Sequence, residues 1–125
     1  MGLNTTHGCW NGPCSSFNHF RKTLAAQIDI NLWDYCGYSD LRSGGPEGTK
    51  ELSSIDHDIQ PLLDHSDCDG ILTVEQSVRI ANGIKQVMDN FNPGHGNYHG
   101  FRDDMTRFYN GLLEAISKNE NITFQ

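Results

Sequence analysis

The sequence predicts a mainly α domain of about four helices with long Gly-rich loops and a small two-stranded β element at the termini. Three observations carry this. Apolar residues recur at helical spacing in three long stretches, with charge on the opposite faces. Thirteen glycines in 125 residues predict long irregular connections. The tail alternates in the manner of a short strand, and the start carries a short extended piece for it to pair with. At this length the chain is one domain, 1–125, with enough residues to bury a core.

Residues 1–14 are polar and irregular, with a short extended piece at Leu3–Thr6. The first helix is expected from about Ser16 to Leu32, capped by Ser15 or Ser16, with Phe17, Phe20, Leu24 and Ile28 on one face. A loop from Gly37 to Ser54 follows and contains Ser43-Gly44-Gly45-Pro46-Glu47-Gly48. Loops of that length in compact domains are usually functional or mobile. A short second helix is expected near Ile55–His65, restarted at Pro61. Thr73 and Gln76 form a capping box that opens a third helix carrying Val74, Val78, Ala81, Ile84 and Val87 or Met88. Asn92-Pro93-Gly94-His95-Gly96 ends it. The fourth helix runs from about Gly100 to Lys118, with Phe101, Met105, Phe108, Leu112 and Ile116 as its stripe. In the tail, Ile122 and Phe124 share one side of an extended segment that can pair with the N-terminal piece.

Nine Lys and Arg against 16 Asp and Glu give a formal charge of −7. Polymeric nucleic acid, which needs a cationic surface, is therefore not the expected partner. No stretch is apolar for the ~18 residues of a membrane span, so no membrane association and a cytoplasmic location are expected. Cys9, Cys14, Cys36 and Cys68 are then expected as thiols. Zinc held by some set of these with His7 has nonstandard spacing. Met1-Gly2 with Thr6 fits the short myristoylation pattern, which a bacterial host would not read.

The densest chemistry lies at His65-Ser66-Asp67-Cys68-Asp69-Gly70. With Gly70 as the sixth residue of an EF-hand-type calcium loop, Asp67 and Asp69 take the third and fifth positions and Leu72 the apolar eighth. The loop ends depart from that pattern. His65 stands first, where a hard cation wants a carboxylate, and Gln76 stands twelfth, where a bidentate glutamate belongs. The expectation is a metal-free Asp-rich turn without a cofactor; a metal at Asp67 and Asp69, in a degenerate EF-hand-like module, is the alternative.

A second candidate region is the start of the chain. Trp10 can stack on a planar ligand, and Arg21 can meet a phosphate or carboxylate with two parallel hydrogen bonds. Backbone N–H groups near Ser15 to Phe17 can hold an anion. The competing reading puts Trp10 in the core edge and pairs Arg21 with a carboxylate. His7 and His65, if they met, could cleave a phosphodiester by general acid–base catalysis. No Gly-x-Ser-x-Gly, Walker, dinucleotide or His-Glu-x-x-His motif is present.

The opening Met1-Gly2-Leu3-Asn4-Thr5-Thr6-His7-Gly8-Cys9-Trp10, with Ser16-Phe17-Asn18, Phe20-Arg21, His65 to Gly70 and the terminal Asn119 to Phe124, resembles a family of small uncharacterised phage- and prophage-encoded proteins. The resemblance implies a phage context inside a bacterial host and little chemistry. Relatives carry acidic residues where this chain has Ile71, and Glu where it has Gln76, which argues further against metal here. The combined expectation is an accessory binding protein, not an enzyme, acting in counter-defence or host takeover. It would sequester a small phosphorylated or nucleotide ligand, or block a host protein. Its ligand-binding candidates are Thr6, His7, Trp10, Ser16, Arg21, His65, Asp67 and Asp69; oligomerisation is compatible with all of this. The alternative is a small phosphodiesterase or hydrolase using His7 and His65, or a metal at Asp67 and Asp69.

Overall fold

The computed structural model describes residues 2–35, 50–65 and 69–125. Most of the Gly37–Ser54 loop, with Ser43–Gly48, and Cys36, Asp67 and Cys68 lie outside the described residues.

The fold is mainly α, with four α-helices and small two-stranded β elements among those residues. Strand β1 (Gly2–Asn4) pairs antiparallel with β2 (Asn11–Pro13), and a 3₁₀ turn at Thr6–Gly8 lies between them. Helix α1 spans Cys14–Gln27, α2 Gln60–Leu63, α3 Val74–Asp89 and α4 Phe101–Lys118. Strand β3 (Gly70–Leu72) pairs antiparallel with the terminal β4 (Ile122–Phe124). A bridge from Thr5 to Phe124, and reciprocal bonds between Asn4 and Gln125 of 2.9 and 3.0 Å, tie β4 to the end of β1 as well. The chain tail thus joins the N-terminal hairpin to the mid-chain turn.

Helix α1 starts and ends earlier than its apolar spacing suggests. Pro13, extended at φ −61° and ψ 145°, stands at the cap, ahead of both serines. At the other end Asp29 adopts a left-handed conformation (φ 61°). The N–H groups of Asp29 and Ile30 then bond to the carbonyls of Ala26 and Ala25, closing the helix as a Schellman motif. Residues 28–32 turn away, and Ile28 is only partly buried. Helix α2 keeps Pro61 in its first turn, where the missing N–H costs nothing, but is one turn long. The expected capping box of α3 is present: Thr73 Oγ1 accepts from Gln76 N–H and Gln76 Oε1 from Thr73 N–H. Its buried face is Ser77, Ile80, Ala81, Ile84 and Val87; Val78 lies half exposed on the outside.

Helices α3 and α4 pack against each other over most of their length. Phe17, Phe20, Leu24, Ile84, Phe101, Met105, Phe108 and Leu112 are buried together. Each such side chain contributes about 1.5–3 kcal/mol. Phe17 and Phe20 of α1 meet Phe108 of α4 at 6.2 and 5.7 Å between ring centres. No helix of the described residues is long and apolar enough to cross a membrane.

Candidate functional site

The most chemically loaded feature is the 3₁₀ turn at Thr6–Gly8. It seats against α4 at Gly111, where a side chain would collide: a Cβ there would lie 2.5 Å from Cys9 Sγ, 2.9 Å from the His7 carbonyl oxygen and 3.0 Å from the Cys9 nitrogen. This close approach presses His7 into a left-handed conformation (φ 63°), rare for a residue with a side chain. Both imidazole nitrogens are engaged. Nδ1 lies 2.8 Å from Thr6 Oγ1, and Nε2 lies 3.0 Å from Glu120 Oε1. Thr6 Oγ1 also accepts the Thr123 N–H at 3.0 Å. Glu120 is aimed by the end of α4. Asn119 turns left-handed (φ 54°), and the N–H groups of Asn119 and Glu120 bond back to Ile116 and Ala115. Cys9, beneath the turn, has its thiol pushed up to about 12 by burial, so it is inert as a nucleophile.

Beside His7, along the outer face of α4, runs an open groove of about 400 Å³, lined by Gly8, Asp103, Thr106, Arg107, Asn110, Gly111 and Glu114. These residues share one face through the i, i+3, i+4 spacing of the helix. Glu114 bonds Lys118 at 2.9 Å, and that contact holds its carboxyl below the usual range. Arg107 differs from the other described arginines. Arg21 and Arg79 bond to protein oxygens and Arg102 stands 5.3 Å over the Phe91 ring. The Arg107 side chain makes no hydrogen bond or ion pair among the described residues.

The residues singled out in the sequence fall in two groups. Thr6 and His7 form the turn just described. Trp10 is 5% exposed and packs between Phe17 and Phe20 at 5.4 and 5.2 Å. Its faces are covered, and its indole N–H has no acceptor among the described residues. Ser16 is exposed in the first turn of α1. Arg21 is 3% exposed; it bonds the carbonyls of Leu62 and His65 and the Asn18 side chain, with its guanidinium 4.7 Å over Phe17. Arg21 therefore braces α1 against the end of α2, a role its position in the sequence does not announce. His65 does not bond to His7: its ring lies 4.2 Å from Phe124, and its Nε2 is 2.8 Å from the Ile71 carbonyl oxygen. The sequence reading missed Glu120, Arg107 and the groove. The only signal was the polar i, i+4 series Asp103, Arg107, Gly111 on α4.

The described part of the His65–Gln76 segment follows the outline of a calcium loop, with Asp67 outside it. Helix α2 enters it, Gly70 turns at the sixth position with φ 93°, β3 covers the sixth to eighth, and α3 leaves from the tenth. In such loops the first side chain and the seventh carbonyl both face the ion. Here His65 Nε2 meets the Ile71 carbonyl, and Gln76 turns back onto the helix cap. Asp69 is exposed, and no group of three His, Cys, Asp or Glu among the described residues is placed to hold a metal. Calorimetric titration is expected to show calcium binding no tighter than about 0.1–1 mM; micromolar affinity would refute this reading of the loop.

The class that fold and site define is a small, mainly α protein with an open groove along α4. Comparison with known protein families, curated proteins and solved structures gave no match.

Proposed function

We propose that this is a phage-type accessory binding protein that sequesters a small phosphorylated or nucleotide ligand in the α4 groove, in counter-defence or host takeover. The phage context rests on the resemblance of the chain's two ends and centre. The observation that supports ligand binding is Arg107, a guanidinium without a protein partner among the described residues, lining a groove walled by the strained His7 turn. An arginine fork matches phosphate oxygens in pairs. Strained backbone is retained where the surroundings enforce it, and it clusters at functional sites.

Binding is favoured over cleavage by the separate partners of His7 and His65, which do not form a histidine pair. One arrangement supports a hydrolase as second reading. Thr6, His7 and Glu120 form a hydroxyl–imidazole–carboxylate series like that of nucleophilic hydrolases. The Thr123 N–H donated to the Thr6 oxygen makes that hydroxyl a poorer nucleophile.

Incubation with mono-, di- and cyclic nucleotides and inorganic phosphate, followed by denaturation, separates the two. Intact ligand recovered with the protein supports sequestration, and new products support hydrolysis. Arg107→Ala should weaken binding about 10- to 100-fold, the worth of a charged hydrogen bond. Undiminished binding by that variant would place the ligand elsewhere.

A further inference from the structure

We infer that the α4 groove selects guanine nucleotides, with Asp103 reading the base and Arg107 the phosphate. This deepens the proposed nucleotide binding and rests on it. Asp103 and Arg107 lie four residues apart, about 6 Å along the helix axis, and both line the groove. Aspartate and arginine at this spacing commonly pair. Here no ion pair joins them, and the Asp103 side chain, like that of Arg107, bonds to nothing else among the described residues. The groove therefore presents an acceptor and a donor at separate points along its length.

A carboxylate is acceptor-only, with two oxygens side by side. It is best matched by two adjacent donors. Guanine's pairing edge provides them, N1–H beside the N2 amino group. Adenine sets one amino donor beside the N1 lone pair, which a carboxylate repels. Cytosine sets its amino group beside the N3 lone pair, and uracil offers a single N–H between two carbonyls. Among the common bases the fit is to guanine. With the base held by Asp103, the phosphate falls to Arg107, whose fork pairs with phosphate oxygens. Asn110, one turn on, adds an amide donor on the same face. Glu114, the other carboxylate in the groove, is already bonded to Lys118, which reduces its repulsion of a phosphate. The volume of about 400 Å³ is within the ~300–1,000 Å³ typical of small-molecule sites.

Calorimetry with GMP, AMP and inorganic phosphate, on the intact protein and on Asp103→Asn and Arg107→Ala, tests this. GMP should bind about tenfold or more tightly than AMP, the discrimination of a bidentate base contact. Asp103→Asn should abolish the preference for GMP over AMP. Arg107→Ala should weaken both. Asp103 is exposed in the first turn of α4, so the variant should keep its fold, which circular dichroism checks. Equal binding of GMP and AMP, or a preference that survives Asp103→Asn, would overturn the guanine assignment and leave nucleotide binding standing. Failure of both nucleotides to bind would overturn the two together.

Discussion

Gly111→Ala is expected to lower the melting temperature by about 8 °C. The sign is not obvious, because alanine is favoured over glycine inside a helix by about 1 kcal/mol. The added methyl would stand 2.5 Å from Cys9 Sγ, and two backbone atoms of the 6–9 turn lie within 3.0 Å. Backbone cannot yield as a side-chain tip can. Overpacking of this kind costs about 1–3 kcal/mol, and contacts this short belong at the upper end. The net loss is about 2 kcal/mol, at roughly 4 °C per kcal/mol for a chain of this size. Relief of the clash would lift the turn from α4 and separate His7 from Glu120, so ligand binding in the groove should fall as well. Leu113→Ala, at an exposed position two residues on, is the control and should change little. A melting temperature for Gly111→Ala equal to or above that of the natural protein would show that the turn is not seated on Gly111.

The sequence carries the helices because the apolar stripes and the Thr73–Gln76 box are local signals. Phe101, Met105, Phe108 and Leu112 sit where their spacing places them, and the cap forms from two residues three apart. The errors arise where termination depends on contacts distant in sequence or on unusual backbone. The apolar Ile28 hides the fact that Asp29 takes the left-handed turn normally given to glycine. Val78 fits the stripe by spacing yet faces out, since α3 turns Ile80 and Ser77 toward its neighbours. The tail was legible as a strand, but its stronger pairing is with Gly70–Leu72, 50 residues upstream, and only its last residues reach Asn4 and Thr5. The site was half legible. Thr6 and His7 stood out by type. Glu120 reaches His7, and Arg107 comes to line the same groove, only once α4 lies beneath the turn, and no spacing rule links position 7 to position 120.

Arg21→Met is expected to cost about 3 kcal/mol, a fall of about 12 °C. Methionine keeps much of the aliphatic bulk that packs under Phe17 but donates nothing. The carbonyls of Leu62 and His65 then lose the guanidinium that bonds them at the end of α2. Each hydrogen bond to the charged guanidinium that is lost costs about 1.5–3 kcal/mol. Against this stands the relief of an expensive desolvation, since Arg21 is 3% exposed. The two lost charged bonds outweigh that relief. Arg21→Lys keeps the charge without the fork and should lose about half as much. Hydrogen exchange gives the local readout: amides from Ile59 to His65 should lose protection in the methionine variant, while those in the middle of α4 keep theirs in proportion to global stability. A neutral or stabilising outcome would mean that the α2 end holds without this guanidinium.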